Sequence, residues 1–453
     1  MGVPSRTVVT LSGETTRHLD RELAEQQREN RVPGLIAAIV HEGEVLWWRG
    51  IGAADPAEPD RAPDLDTQFA IGSITKTFTA VLLQRLVHEG RLGLDDRVDA
   101  HLPVRTHGDL TLRRMLAHAS GLQREPAGDV WDGLTMPDDQ GLLDGLDEAE
   151  TVLSPRSRWH YSNLAYSLLG AVVAKVEDKP WETVLGERIL APLGMTRTGS
   201  RPTAPRCVGS YVDPFSDHAI AEDGFDLKAL APAGALWSTV GDLTRWARFI
   251  AEGDDAVLPA DVLEQMTRPQ IIADIWRWTL AWGSGWMLVR AGERVLTGHT
   301  GGMPGFVTAL LVDRESGTAA IALSNSIGTL DPGGLAAGLL TRALELDPPA
   351  EAPWRAGEAP PDELAALTGR WWSEGVPYAF SVHDGALEAR AEQAPKHLPP
   401  SVFERVGDDL YRTASGREEG ETLRVSRHAS GAVDRLYWAT YPLTRQPLAF
   451  GQL

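Results

Sequence analysis

The sequence predicts an α+β domain, an antiparallel sheet with an inserted helical region, followed by a small all-β domain, a barrel or a sandwich. Three observations predict it. Strand-like runs stand near both ends of the first 346 residues, with helical periodicities between them. Residues 347–361 hold five prolines and read as a stiff linker. Beyond it the pattern changes to short strands separated by turns. The division is therefore a first domain at 1–346, the linker at 347–361 and a second domain at 362–453.

In order along the chain, 14–30 reads as a polar helix that ends before Val32, Pro33 and Gly34. The apolar runs 35–40 and 45–48, separated by Glu42 and Gly43, read as a hairpin. A helix is expected from Ser73 onward, because Phe78, Val81, Leu82 and Leu86 recur at helical spacing and Gly90 follows as a stop signal. The stretch 125–150 is acidic and punctuated by Gly and Pro, which suits a surface loop or a cap. Helical patterns follow at 164–176, 181–190 and 243–251, and a second hairpin at 309–313 and 319–324 flanks Arg314 to Gly317. In the second domain, strands are expected at 369–372, 379–382, 387–390, 402–406, 423–426 and 433–438, with His383-Asp384-Gly385 as a hairpin turn.

The chain has 453 residues and can bury a large core. Lys and Arg number 43 against 63 Asp and Glu, for a formal net charge of −20. Nucleic acid and anionic membranes need basic patches, so neither is expected as a partner. Cys207 is the only cysteine and is read as a structural thiol; an intramolecular disulfide would need a second. No apolar stretch approaches the roughly 18 residues of a membrane span, and residues 1–13 carry no export-signal pattern, so a cytoplasmic location is expected. No spacing of Cys, His and acidic residues suggests a metal. The glycine pairs at 301–302 and 333–334 lack the surroundings of a phosphate or dinucleotide loop, so no cofactor is expected.

Chemistry concentrates in Ser73-Ile74-Thr75-Lys76. Three positions apart on a helix, Ser and Lys share one face, so hydroxyl and amine can meet. A serine hydroxyl is a poor nucleophile until a base takes its proton, and a partly desolvated lysine can do so. The start of a helix also offers free N–H groups to a developing oxyanion. Two further groups are Tyr161-Ser162-Asn163 and His299-Thr300-Gly301-Gly302. For Asn163 a second use is open, as the cap of the helix beginning at Leu164. His118 and His160 stand near these groups and suit structural use. Most of the fifteen tryptophans suit core packing.

In that order, S-x-x-K, Y-x-N and H-T-G resemble the serine β-lactamase and penicillin-binding-protein superfamily, closest to its class-C-like branch. Leu116 to Leu122 and Ala233 to Leu243 are similar to stretches common there. The resemblance spans roughly 30–345 and implies the β-lactamase/transpeptidase fold, with a lipocalin-like barrel after it. It implies Ser73 as nucleophile, Lys76 as general base or electrostatic partner, and Tyr161 as proton relay, with a cationic Lys76 easing ionisation of the phenol. It further implies Asn163 as a partner of Lys76 and of the acyl amide. The N–H groups of Ser73 and Gly302 would form the oxyanion hole, and Trp237, Thr300 and Gly301 would contact substrate. His299 stands where many members carry Lys, which weakens carboxylate recognition of the β-lactam type. Penicillin-binding-protein-type thioesterases look like this chain. That reading gives Ser73 a peptidyl thioester with a D-configured terminal residue, a peptidyl carrier protein as candidate partner, and release by macrocyclisation. An esterase, D-aminopeptidase or amidase would use the same residues with water as acceptor. A catalytically silent binding module on this fold is the reading from a different class. Substrate identity and oligomeric state are not encoded in these motifs.

Overall fold

A computed structural model describes residues 10–155, 157–222, 224–349, 354, 356–395 and 398–448. The chain divides into two compact units, Met1–Ala350 and Glu351–Leu453. In the first, helix α1 (Gly13–Glu29) starts where the Ser12 hydroxyl accepts from the Thr15 N–H. Strands β1 (Gly34–His41) and β2 (Glu44–Gly52) form the expected hairpin. Helices α2 (Thr75–His88), α3 (Asn163–Glu177) and α4 (Val240–Glu252) follow. Six more strands come next: β3 (Ile271–Ile272), β4 (Leu280–Trp282), β5 (Met287–Ala291), β6 (Arg294–Met303), β7 (Phe306–Asp313) and β8 (Thr318–Ser324). Helix α5 (Pro332–Leu346) ends the unit's regular structure. The segment expected as one helix over 181–190 divides into an α-helical turn at Trp181–Leu185 and a π-helical turn at Gly186–Leu190.

The eight strands make one antiparallel sheet in the order β2-β1-β8-β7-β6-β5-β4-β3. Strands from the early and late parts of the unit meet as its second and third members, where Ile36 of β1 pairs with Leu323 of β8. β1 is apolar at nearly every position because helices cover both of its faces. Leu35, Ala37 and Ile39 pack with Leu19 and Leu23 of α1 and Leu339 of α5. Ile36, Ala38 and Val40 face the other way, into a cluster with Phe78 of α2, Leu169 of α3 and Trp246 of α4. Each large side chain so buried contributes about 1.5–3 kcal/mol. Phe78 stacks on Trp246 with centroids 3.9 Å apart, which ties α2 to α4. Among the described residues no helix is long and apolar enough to cross a membrane.

The second unit is a nearly closed barrel of β9 (Gly369–Ser373), β10 (Val376–His383), β11 (Ala386–Ala391), β12 (Ser401–Gly407), β13 (Leu410–Ser415), β14 (Thr422–Arg427), β15 (Val433–Trp438) and β16 (Tyr441–Leu443), each antiparallel to the next. Trp372 and Thr444 exchange backbone hydrogen bonds of 2.7 and 3.0 Å across the seam. Trp371, Phe380, Phe403 and Trp438 fill the interior. The turn at Asp384 and Gly385 has positive φ at both residues, 49° and 80°, as the sequence led us to expect. Strands β13 and β16 escaped the sequence pattern. In β13 only Tyr411 and Thr413 face inward, and β16 contains Pro442, which counts against strand structure.

Candidate active site

Ser73 sits in the single turn Gly72–Ile74 that leads into α2. That turn lies against β6, and glycine makes the approach possible. Gly72 has φ +51°, and a Cβ there would lie 2.6 Å from the Gly302 nitrogen. A Cβ on Gly301 would come within 2.0 Å of the Ile71 carbonyl oxygen and 2.3 Å of Thr308 Oγ1. On Gly302 it would meet nothing within 4 Å, because this residue borders open space. The registered pairing of β5 with β6 ends at Gly298, so β6 from His299 onward has no β5 partner beside the cleft. Ser73, Tyr161, Asn163, His299, Thr300, Gly301 and Gly302 line one cavity of about 660 Å3. Trp237 does not join them. It lines an adjoining cavity of about 430 Å3, because its short strand pairs with Ala70 and its ring packs edge-on to Phe306, at 5.2 Å. The two cavities share Leu227, Gly234 and Met303 in their walls.

Lys76 is fully buried, and its Nζ lies 3.1 Å from Ser73 Oγ, 2.7 Å from Asn163 Oδ1 and 2.7 Å from the Ala233 carbonyl oxygen. Burial holds the amine well below its ordinary pKa; Glu125 acts against this and Arg124 with it. A neutral amine has two N–H groups and one lone pair. The two carbonyl oxygens can only accept, so they take both N–H groups, and the lone pair is left for the Ser73 hydroxyl proton. Tyr161 shifts the opposite way. Its phenol is pushed up by burial, only partly offset by a hydrogen bond with Ser73. Burial therefore disfavours the charged form of both the amine and the phenol. The Arg124 guanidinium carbon and Lys76 Nζ each lie 4.9 Å from the phenol ring centroid.

Asn163 does not cap α3. Ser162 does, its hydroxyl accepting from the Ala165 N–H at 3.0 Å, and Asn163 as the first helical residue is free to face Lys76. His118 stacks on Tyr161 with centroids 4.2 Å apart, and its Nδ1 accepts from the Ser162 N–H, so it braces this segment as a neutral ring. The His299 imidazole is nearly fully buried. Its Nδ1 faces the Thr300 carbonyl oxygen, an acceptor, so Nδ1 carries the proton and Nε2 presents a lone pair. Burial moves its pKa down to about 3, so at neutral pH it offers an acceptor and no charge. Nε2 has no protein partner.

Sequence reasoning missed Glu125. Its Oε1 accepts from Asn163 Nδ2 at 2.5 Å, Arg124 Nε lies 3.5 Å from the same oxygen, and Oε2 is buried without a partner at the edge of the cavity. The available signal was its position just after the family-like run ending at Leu122; its membership of an acidic loop concealed it. Among the described residues no three His, Cys, Asp or Glu side chains gather as a metal would require.

A serine at a helix start, a desolvated amine on its hydroxyl and a free strand edge opposite define a serine acyl-transfer site on a three-layer α/β/α frame. The chain belongs to the beta-lactamase family, whose family model matches residues 19–345, a family of serine hydrolases and acyltransferases. Residues 360–445 match a domain of unknown function, DUF7586. The chain is similar to esterase EstB of Burkholderia gladioli, at 33% identity over 46% of this chain and 58% of that protein. It spans about half the length of other curated relatives it matches. The fold is that of an octameric penicillin-binding protein homologue from Pyrococcus abyssi, with TM-score 0.65, 22% identity, and 95% and 99% of the two chains covered. A D-amino acid amidase from Ochrobactrum anthropi SV3 aligns with TM-score 0.61 at 26% identity, over 74% of this chain and 98% of that one.

Proposed function

We propose that the protein takes a peptidyl thioester ending in a D-configured residue onto Ser73 and releases it by attack of the peptide's own amine, giving a macrocycle. The Ser73 proton passes to Lys76 as Oγ bonds to the thioester carbon. The oxyanion is met by the N–H groups of Ser73 and Gly302, and the C–S bond breaks with a proton from the Lys76–Tyr161 pair ending on the thiol. In the second half the amine attacks the ester, Lys76 takes its proton, and Ser73 recovers its own. Thr300 and Gly301 would contact the acyl chain from the β6 edge, and a peptidyl carrier protein would deliver the thioester.

The observation that carries aminolysis is Glu125. Its Oε2 is a buried acceptor without a partner in the same cavity as Ser73, and a carboxylate there accepts a hydrogen bond from the incoming neutral amine, which keeps its lone pair for the ester carbon. His299 adds a neutral acceptor where a cation would favour a substrate carboxylate. Similarity to an enzyme named for D-amino acid amides supports the D-configuration. A second reading, hydrolysis of D-aminoacyl amides or esters, is favoured by the likeness to an esterase and an amidase. Under that reading Glu125 seats the substrate's own α-ammonium. Incubation with a synthetic peptidyl thioester ending in a D-residue, with Ser73→Ala as control, separates the two by mass. A Ser73-dependent product one water lighter than the free acid supports the cyclase; free acid alone supports the hydrolase. An enzyme that never gains an acyl mass from thioester, ester or amide donors refutes both.

A further inference from the structure

We infer that Glu125 is a positioning residue that decides where the Lys76 lone pair goes, by fixing which way round the Asn163 amide sits. The inference rests on the proposal that Lys76 is the base for Ser73.

Lys76 Nζ donates to Asn163 Oδ1, and Asn163 Nδ2 donates to Glu125 Oε1. A carboxamide is nearly symmetric in shape, so packing alone does not orient it. A carboxylate can only accept, so Glu125 demands that Nδ2 face it, which leaves Oδ1 facing Lys76. Turned over, the amide would aim an N–H at Nζ. The lone pair would then be spent on Asn163, and the Ser73 hydroxyl would lose its base. Holding the loop does not need this contact, because the Arg124 carbonyl already accepts from the N–H groups of Asn163 and Leu164, at 2.7 and 3.1 Å.

The carboxylate also favours the ammonium that forms when Lys76 takes a proton. Around Lys76 stand Ser73 on its own segment, Tyr161 and Tyr166, His118, His299, Arg124 and Glu125. Both phenols are pushed up and both imidazoles down by burial, so these four are uncharged near neutrality. Glu125 is then the anion of this set and Arg124 the opposing cation.

The test is the pH profile of Ser73 acylation by p-nitrophenyl acetate, an acyl donor with no amine, so that ammonium seating plays no part. Glu125→Gln removes the charge and the demand on Nδ2. The plateau rate is expected to fall by about 10–100-fold, and the acid limb to move down by on the order of one pH unit. Glu125→Asp restores the charge and should return the limb to its parental position. A Glu125→Gln profile that overlays the parent overturns the inference. A lowered plateau with an unmoved limb in both variants also overturns it, because a merely structural contact would behave that way. Lys76→Met keeps the two failures apart. If that variant still acylates at the parental rate, the reading of Lys76 as base is wrong; if it is inactive while Glu125→Gln is unaffected, only the role of Glu125 falls.

Discussion

Lys76→Met puts an apolar side chain of similar length where a buried amine now sits, and the structure specifies what is lost. Asn163 Oδ1 and the Ala233 carbonyl oxygen each lose their donor from Lys76. A buried acceptor left without a partner costs about 1–3 kcal/mol, so the pair sets a deficit of roughly 2–6 kcal/mol. Against it stands a gain that depends on pH. In the unfolded chain the lysine protonates below about 10.4, whereas in the folded protein burial holds the amine neutral to a much lower pH. Between those limits the unfolded state binds the extra proton, so the parent's stability rises with pH by about 1.4 kcal/mol per unit and is lost as pH falls. The methionine variant lacks this dependence. Urea unfolding at several pH values should therefore show the parent gaining on the variant as pH rises. Acylation of Ser73, followed by intact mass, should slow by about 10²–10⁴-fold with the base removed. Parallel stability lines would mean that Lys76 is charged in the folded protein. Acylation within tenfold of the parent would refute its role as base.

Two further outcomes are expected. Gly301→Ala forces a Cβ against Ile71 and Thr308 and should cost on the order of 1–3 kcal/mol along with most activity, whereas Gly302→Ala, which meets nothing, should leave thermal unfolding nearly unchanged; equal destabilisation of the two would contradict the packing described. His299 titrates near 6.5 when unfolded and near 3 when folded, so it removes up to about 1.4 kcal/mol per unit as pH falls through that window. The stability difference between the parent and His299→Gln should accordingly narrow or reverse toward the acid side in urea melts, and a pH-independent difference would count against a buried neutral imidazole.

Much of this protein was written in short stretches of sequence. A serine and a lysine three residues apart must share a helical face, Asp384-Gly385 must turn, and strands covered on both sides must be apolar throughout. Such features depend on dihedral angles and spacing within a few residues, so a single sequence shows them. What the lysine does there could not be read the same way. Its partners Asn163 and Ala233 lie 87 and 157 residues away, and Glu125 acts on it by charge and through its hydrogen bond with Asn163. The lowered basicity of Lys76, the tautomer of His299, the choice of Ser162 over Asn163 as cap and the placing of Trp237 on the adjoining cavity follow from the tertiary contacts. Sequence determined which groups the site could use. Tertiary packing decided their charge and direction, because desolvation and hydrogen-bond geometry exist only once distant segments close around the same few atoms.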